Sequence, residues 1–97
     1  MDIIIQSLDF NAKEELKDFI TKKVESLTDK YQEAIRANVR LKLDKNDSGA
    51  NKICEIRLEI PGNDLYASRQ AQTFEEAAQE VIAALRRQIE KTGSRKQ

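Results

Sequence analysis

The last twelve residues of the chain carry the side chains with the clearest chemical role. Residues 86–97 contain five basic side chains and one acidic side chain, a net charge of +4, whereas residues 1–85 contain 12 basic and 16 acidic side chains, a net charge of −4. The five cations are Arg86, Arg87, Lys91, Arg95 and Lys96. Guanidinium groups match pairs of phosphate oxygens, and clustered cations release counterions when they bind a polyanion. The segment is therefore suited to nucleic-acid contact, although cations near the end of a helix also complement its dipole.

The composition offers little for catalysis or metal binding. The sequence has no His, which removes the commonest general base and metal ligand, and its single cysteine, Cys54, cannot complete a zinc site. The three glycines, at positions 49, 62 and 93, do not form a phosphate-binding loop. We therefore predict a protein that is not an enzyme and binds no metal, cofactor or small-molecule substrate. Cys54 is interpreted as a core residue and not as a reactive thiol.

The length of the chain sets its organisation. Ninety-seven residues predict one domain, spanning residues 1–97, with a loose tail from about Gly93. No apolar run approaches the roughly 20 residues that cross a membrane, and one cysteine cannot form an internal disulfide. We expect a soluble, cytoplasmic protein that does not bind membranes.

Two helices are predicted to position the cations. Apolar residues recur at helical spacing after Thr73, which with Glu76 forms a capping-box pattern. An earlier helix is predicted from Ala12 to about Tyr31, with Asn11 as its N-cap and Glu14 as the capping partner. The apolar stripes of the two helices consist of Leu16, Phe19, Ile20, Val24, Leu27 and Tyr31, and of Phe74, Ala77, Ala78, Val81, Ile82, Leu85 and Ile89. Lys23 lies at the edge of the first stripe, either as a snorkelling stem or as a cation held in a fixed place.

Four strands are predicted to support the helices. The first, Asp2 to Leu8, contains three consecutive isoleucines and is interpreted as buried on both faces or paired inside a sheet. Residues 37–44 and 53–60 alternate between apolar and polar side chains, and a fourth, more weakly patterned strand spans residues 65–71. The predicted fold class is α+β, a β-α-β-β-β-α two-layer sandwich in which two helices pack on one face of a four-stranded sheet. The open face would present Asn38, Arg40, Lys42, Glu55, Arg57 and Glu59.

Several short patterns in these elements resemble one protein family. The segment 39–45, with the sequence VRLKLDK, is similar to the second strand of the short ribosome hibernation promoting factors and ribosome-associated inhibitors, also called sigma-54 modulation proteins. The first helix, with Leu16, Phe19, Ile20, Lys23, Val24 and Leu27 before Tyr31, resembles the family pattern at the same distance from the N-terminus. The segments 65–68, 77–78 and 85–91 resemble the last strand and helix of the family. The likeness covers nearly the whole chain.

The resemblance implies a function and a set of contacts. Family members occupy the mRNA and tRNA channel of the small ribosomal subunit and hold the ribosome inactive under stress or in stationary phase. We expect this chain to resemble the short class, which lacks the C-terminal dimerisation domain of the long class, and to be a monomer away from the ribosome. Residues that match the family's contacts to 16S rRNA are Lys22, Lys23, Lys42, Lys45, Arg86, Arg87 and Lys91, while Arg95 and Lys96 follow by charge alone.

Two other functions fit parts of the pattern. A double-stranded RNA-binding module has a related αβββα core, but it lacks the first strand and needs more charge than the loop from Lys45 to Lys52 carries. A protein-interaction domain could use the acidic majority of the chain to bind a basic partner. Co-sedimentation with ribosomes favours the ribosome-binding inhibitor, and absence of co-sedimentation at all growth stages favours the protein-interaction domain.

Overall fold

Six elements follow one another in the order β-α-β-β-β-α. The computed structural model describes residues 2–29, 33–45 and 49–93. The elements are β1 (Asp2–Ser7), α1 (Glu14–Thr28), β2 (Arg36–Leu43), β3 (Lys52–Glu59), β4 (Leu65–Ala71) and α2 (Phe74–Gly93). The predicted loose tail, including Arg95 and Lys96, lies outside the described residues, as does Tyr31.

The four strands form one mixed sheet in the order β1-β2-β3-β4. β1 pairs in parallel with β2, opposite residues including Ile5 and Val39. The pairs β2–β3 and β3–β4 are antiparallel, as their short connections require. Both helices cover one face, so the predicted two-layer α+β sandwich is confirmed.

The core lies between the helices and the alternate residues of the sheet. β2 buries Ala37, Val39 and Leu41 and β3 buries Cys54, Ile56 and Leu58, as their period-2 patterns predict, whereas Leu43 at the end of β2 is exposed. From the helices, Ile20, Val24, Leu27, Val81 and Leu85 are fully buried, each with at most 1% of its surface exposed. The apolar stripes are therefore the surfaces through which the helices dock on the sheet and on each other.

Of the two alternatives for the first strand, burial on both faces is wrong, whereas pairing in a sheet is confirmed by the parallel ladder with β2. β1 is an edge strand whose residues alternate between exposed and half-buried, and Ile4 is 41% exposed on the face that no helix covers. Ile3 and Ile5 pack against the core from the other face. A short run of β-branched residues predicts a strand but carries no information on which neighbours the strand has.

The start of each helix tests a predicted cap. The Thr73 cap is confirmed, because the amide of Glu76 donates a hydrogen bond to Thr73 Oγ1 at 3.0 Å. The Asn11 cap is wrong, because α1 begins at Glu14 with Lys13 as an extended N-cap residue that makes no side-chain capping bond. Phe10 and Ala12 pack against the core, and Phe10 stacks on the ring of Phe74 with centroids 5.0 Å apart. These contacts occupy the segment that would otherwise form the first turn.

Candidate nucleic-acid interface

The sheet topology makes the two helices run side by side in the same direction. β4 is parallel to β1 and β2, because two antiparallel pairings separate it from β2. Each helix follows one of the parallel strands β1 and β4, so both begin at the same end of the sheet and finish at the other. One cleft at the beginning accordingly contains Glu15 of α1 together with Phe74 and Glu75 of α2. The charged residues of each helix are thereby ordered along one shared direction.

Acidic side chains lie where the helices begin and most helix cations lie further along. The first turns carry Glu14 and Glu15 in α1 and Glu75 and Glu76 in α2, which complements the positive end of each helix dipole. The second halves of the helices carry Lys22, Lys23, Arg86, Arg87 and Lys91, which we call the basic end. The exposed acids Glu25 and Glu90 lie in the same halves, so the basic end has five cations and two acids, whereas the first turns are acidic.

A groove between the helices brings two predicted cations together. Lys23 from α1 and Arg86 from α2 line a space of about 230 Å³, with Ser26, Gln79, Ile82 and Ala83 completing its walls. The Lys23 ammonium lies 5.5 Å from the centroid of the Phe19 ring, a cation–π contact that holds the side chain in place. Of the two alternatives for Lys23, this contact supports the cation held in a fixed place. Ammonium, guanidinium, amide and hydroxyl groups around one groove are suited to an anion such as phosphate.

The side of α2 that faces β4 adds a cation that the sequence interpretation missed. Arg69 of β4 lines a groove of about 250 Å³ together with Arg87, Lys91, Gln88 and Ala84 of α2. The Arg69 guanidinium donates a hydrogen bond to the backbone oxygen of Ser68 at 2.8 Å. The alternation of β4 gives the signal that could have found it, because Arg69 has the same parity as the buried residues Ala67 and Ala71 and so lies on the helix side.

Two of the predicted contact residues lie away from the basic end. Lys42 is on β2, on the face of the sheet opposite the helices, and its ammonium forms an ion pair with Glu55 Oε2 at 3.0 Å. Lys45 is exposed just after β2, at the end of the sheet where the helices begin. Both therefore lie on a different part of the surface from the other described contact residues. The nine predicted contact residues thus divide into five at the basic end, two near the end of β2, and Arg95 and Lys96 outside the described residues.

The cysteine has the environment of a core residue, as predicted. Cys54 is fully buried, and burial, with a smaller contribution from the charge of Glu55, raises the pKa of its thiol to about 12. Within residues 2–29, 33–45 and 49–93, no three acidic or cysteine side chains are grouped as metal ligands. Neither helix of the described chain has the length and apolar character that a membrane crossing requires.

Labelling of Cys54 should therefore require unfolding. A thiol-reactive disulfide reagent at pH 8 is expected to label the native protein about 5,000-fold more slowly than the protein unfolded in denaturant, because an unfolding free energy near 5 kcal/mol limits access. The comparison of the two rates by absorbance checks this, and similar rates would show that the thiol is accessible.

Above pH 9, where an unfolded thiol ionises and a folded one with a pKa of about 12 does not, the cysteine should lower the stability of the protein as pH rises.

Comparison with known proteins gives one family match and close structural likenesses. A family model described as sigma 54 modulation protein / S30EA ribosomal protein matches residues 3–97. A ribosomal subunit interface protein from Coxiella burnetii has a similar structure, with a TM-score of 0.86 and 16% identity over 97% of this chain and 99% of that chain. The N-terminal domain of Protein Y from Thermus thermophilus has a TM-score of 0.80 and 20% identity over 95% of this chain and 99% of that chain. No curated protein sequence gives a significant match.

Proposed function

This chain belongs to the sigma 54 modulation protein / S30EA ribosomal protein family, and from that premise we propose that it is a translation inhibitor that binds the small ribosomal subunit. It occupies the channel that mRNA and tRNA use and keeps the ribosome inactive under stress or in stationary phase. The observation that carries the proposal is the basic end, where cations from both helices converge at one end of a chain whose net charge is zero. One chain, acting as a single domain and a monomer, is the inhibitory unit.

The arrangement of charge supports binding to RNA phosphates. Lys23 and Arg86 face one groove, while Arg69, Arg87 and Lys91 face another, so two neighbouring grooves each present more than one cation. Cations spaced along a surface neutralise several phosphates at once, which makes binding strong at low salt and weak at high salt. The acidic side chains at the start of the helices are separated from this surface and would face away from the same RNA. The protein is thereby expected to bind RNA in one orientation.

The proposed mechanism is occupancy and needs no chemical step. A folded domain with dimensions of 45 × 22 × 19 Å that lies in the mRNA path excludes mRNA and tRNA by its volume. Inhibition then follows the fraction of subunits occupied, so it is stoichiometric and is reversed by ligands that compete for the same space. The resemblance of Lys42 and Lys45 to family contact positions supports a second contact, made by the opposite face and end of the domain.

The double-stranded RNA-binding alternative is less consistent with the fold. The αβββα core of that class has no strand before its first helix, whereas β1 pairs with β2 along six residues here. The family match extends from residue 3 and therefore includes this strand.

Translation in a purified system tests the proposal. Protein added before mRNA and initiator tRNA is expected to suppress peptide synthesis with a dose that follows the concentration of 30S subunits. Protein added after an initiation complex has formed should inhibit much less, because the channel is already filled. Binding to 30S subunits is measured in parallel by co-sedimentation. Full subunit occupancy with unchanged peptide synthesis would contradict the blocking mechanism, and absence of binding would contradict the proposal as a whole.

A further inference from the structure

The open face of the sheet presents an ordered set of side chains that the proposed helix contacts do not use. Strand register aligns Ile4, Asn38, Arg57 and Tyr66 in one row that crosses all four strands. The neighbouring row contains Gln6, Arg40, Glu55 and Ser68. Because the helices cover only the other face, these rows are in contact with solvent. The face is therefore a candidate surface for a flat ligand.

Tyr66 and Arg57 form a cation–π pair on this face. The guanidinium carbon of Arg57 lies 5.3 Å from the centroid of the Tyr66 ring, and Tyr66 is 44% exposed. Asp64 Oδ2 lies 3.8 Å from an Arg57 nitrogen and helps to hold the guanidinium over the ring. Tyr66 lies on the edge strand β4, and its exposed ring has a cation beside it. Such a pair offers a ligand both an aromatic surface and a positive charge.

The cations of the face differ in whether a carboxylate neutralises them. Arg36 pairs with Glu59 at 3.1 Å and Lys42 pairs with Glu55 at 3.0 Å. Arg40 lies between them on β2 and is exposed. Glu55 is opposite Arg40 in the strand register but pairs with Lys42, and Arg40 makes no ion pair with any residue that the structure describes. Since strands lie about 4.8 Å apart and rise about 3.3 Å per residue, the Cα atoms of Arg40 and Tyr66 are roughly 12 Å apart. Arg40 and the ring of Tyr66 are thus within reach of one short strand of nucleic acid that crosses the sheet.

We infer that the open sheet face is a second nucleic-acid surface, which binds an unpaired RNA segment by stacking a base on Tyr66 and pairing a phosphate with Arg40. Only unpaired RNA can do this, because the faces of bases in a duplex are already stacked on one another. Aromatic side chains on a sheet with nearby cations are a sequence-tolerant way to bind single strands. The inference rests on the proposed function for RNA as the partner, but it uses the face opposite the helices.

The tyrosine content of the chain allows a direct test. The sequence has two tyrosines and no tryptophan, so in a Tyr31→Phe variant the intrinsic fluorescence comes from Tyr66 alone. A short oligouridylate is expected to quench this fluorescence saturably, whereas an RNA duplex of the same length should not. An absence of saturable quenching, or equal quenching by the duplex, would overturn the inference. Quenching by an uncharged peptide and not by oligouridylate would assign the face to a protein partner and would overturn it equally.

Matched variants separate stacking from charge and from the helix contacts. Because Tyr66→Leu and Tyr66→Phe lack the reporting ring, their binding is measured by the fluorescence anisotropy of a labelled oligouridylate. Tyr66→Leu is expected to weaken oligouridylate binding by about 5-fold to 150-fold, the effect of losing one stacked base, while Tyr66→Phe should bind nearly as well as the parent chain. Their melting temperatures establish that both variants are folded. Arg87→Glu with Lys91→Glu should keep the Tyr66 quenching, so failure of the helix contacts on the ribosome is distinguishable from failure of this surface. If Tyr66→Leu binds oligouridylate as tightly as the parent chain, the stacking role is wrong.

Discussion

Reversing the charge of Arg87 and Lys91 together is expected to lower the affinity of the protein for 30S subunits by roughly 10²-fold to 10⁴-fold and to leave it folded. Hydrogen bonds to charged groups contribute about 1.5 to 3 kcal/mol each, so the loss of two phosphate contacts accounts for that range. Repulsion between the new carboxylates and phosphate adds to the loss. If the proposed function is correct, this is the largest effect on binding that two surface substitutions should produce.

The substitution should have little effect on folding because neither side chain belongs to the core. Arg87 and Lys91 are exposed and lie one helical turn apart, on the side of α2 that faces the groove with Arg69. Acidic residues near the end of a helix interact unfavourably with its dipole, at a cost of about 0.3 to 1 kcal/mol each. A small decrease in melting temperature is therefore expected, far less than unfolding requires. The binding and stability effects can be measured on the same preparation.

A control with the same change in net charge is available at the other end of the helices. Lys13 and Lys17 are also four residues apart, and neither is among the predicted contact residues. Replacing both by Glu changes the net charge by the same amount but is expected to reduce 30S binding far less. Salt titrations give a second measurement, because the loss of two phosphate contacts should make the slope of log affinity against log salt shallower by about 1.5 to 2. Equal losses in the two double variants would show that net charge, and not the basic end, determines binding.

The sequence was sufficient to predict the fold because its strong patterns are set by burial. Alternating residues in β2 and β3 and apolar stripes in both helices reflect the faces that are removed from water, and the structure confirms them. The Thr73 cap is also local, since its hydrogen-bond partner is three residues away. The family resemblance, based on short patterns, is confirmed by a family model that spans residues 3–97.

The predictions that failed depend on contacts between distant segments. Asn11 has the side chain of a good N-cap, but Phe10 reaches Phe74, 64 positions away in the chain, and α1 begins only at Glu14. Three isoleucines in a row predict a strand, but the position of β1 at the edge of the sheet follows from the pairing of all four strands. Neither the ring contact nor the pairing of the strands can be predicted from residues that are close together in the sequence.

The candidate site was only partly predictable for the same reason. The cations of α2 are visible as a charge cluster in the sequence, and matching to the family pattern added Lys22 and Lys23. That Lys23 and Arg86 share a groove follows from the parallel course of the helices, which depends on the order of the strands. Arg69 is distant from the cluster in sequence and joins it only because α2 packs beside β4.

Shortening one core side chain of α2 is expected to have the largest effect on stability. Leu85 has no exposed surface and lies in the core between α2 and the sheet, one residue before Arg86. Leu85→Ala should decrease the free energy of unfolding by about 2 to 5 kcal/mol, because it removes buried apolar surface and leaves a cavity. Domains of this size have unfolding free energies of about 5 to 10 kcal/mol, so the variant should be close to the limit of stability. The change is measured as a shift in the denaturant midpoint at constant m value.

Two controls separate the cavity from the chemistry of the substitution. Leu43→Ala makes the same change at a position that is 38% exposed at the end of β2, and it should cost about 1 kcal/mol or less. Leu85→Met keeps the volume of the side chain and should cost less than about 1.5 kcal/mol. Comparable losses for Leu85→Ala and Leu43→Ala would contradict the assignment of Leu85 to a close-packed core. At temperatures where Leu85→Ala remains folded it should still bind 30S subunits, since its cations are intact, whereas the double reversal of Arg87 and Lys91 should be stable and bind them far more weakly.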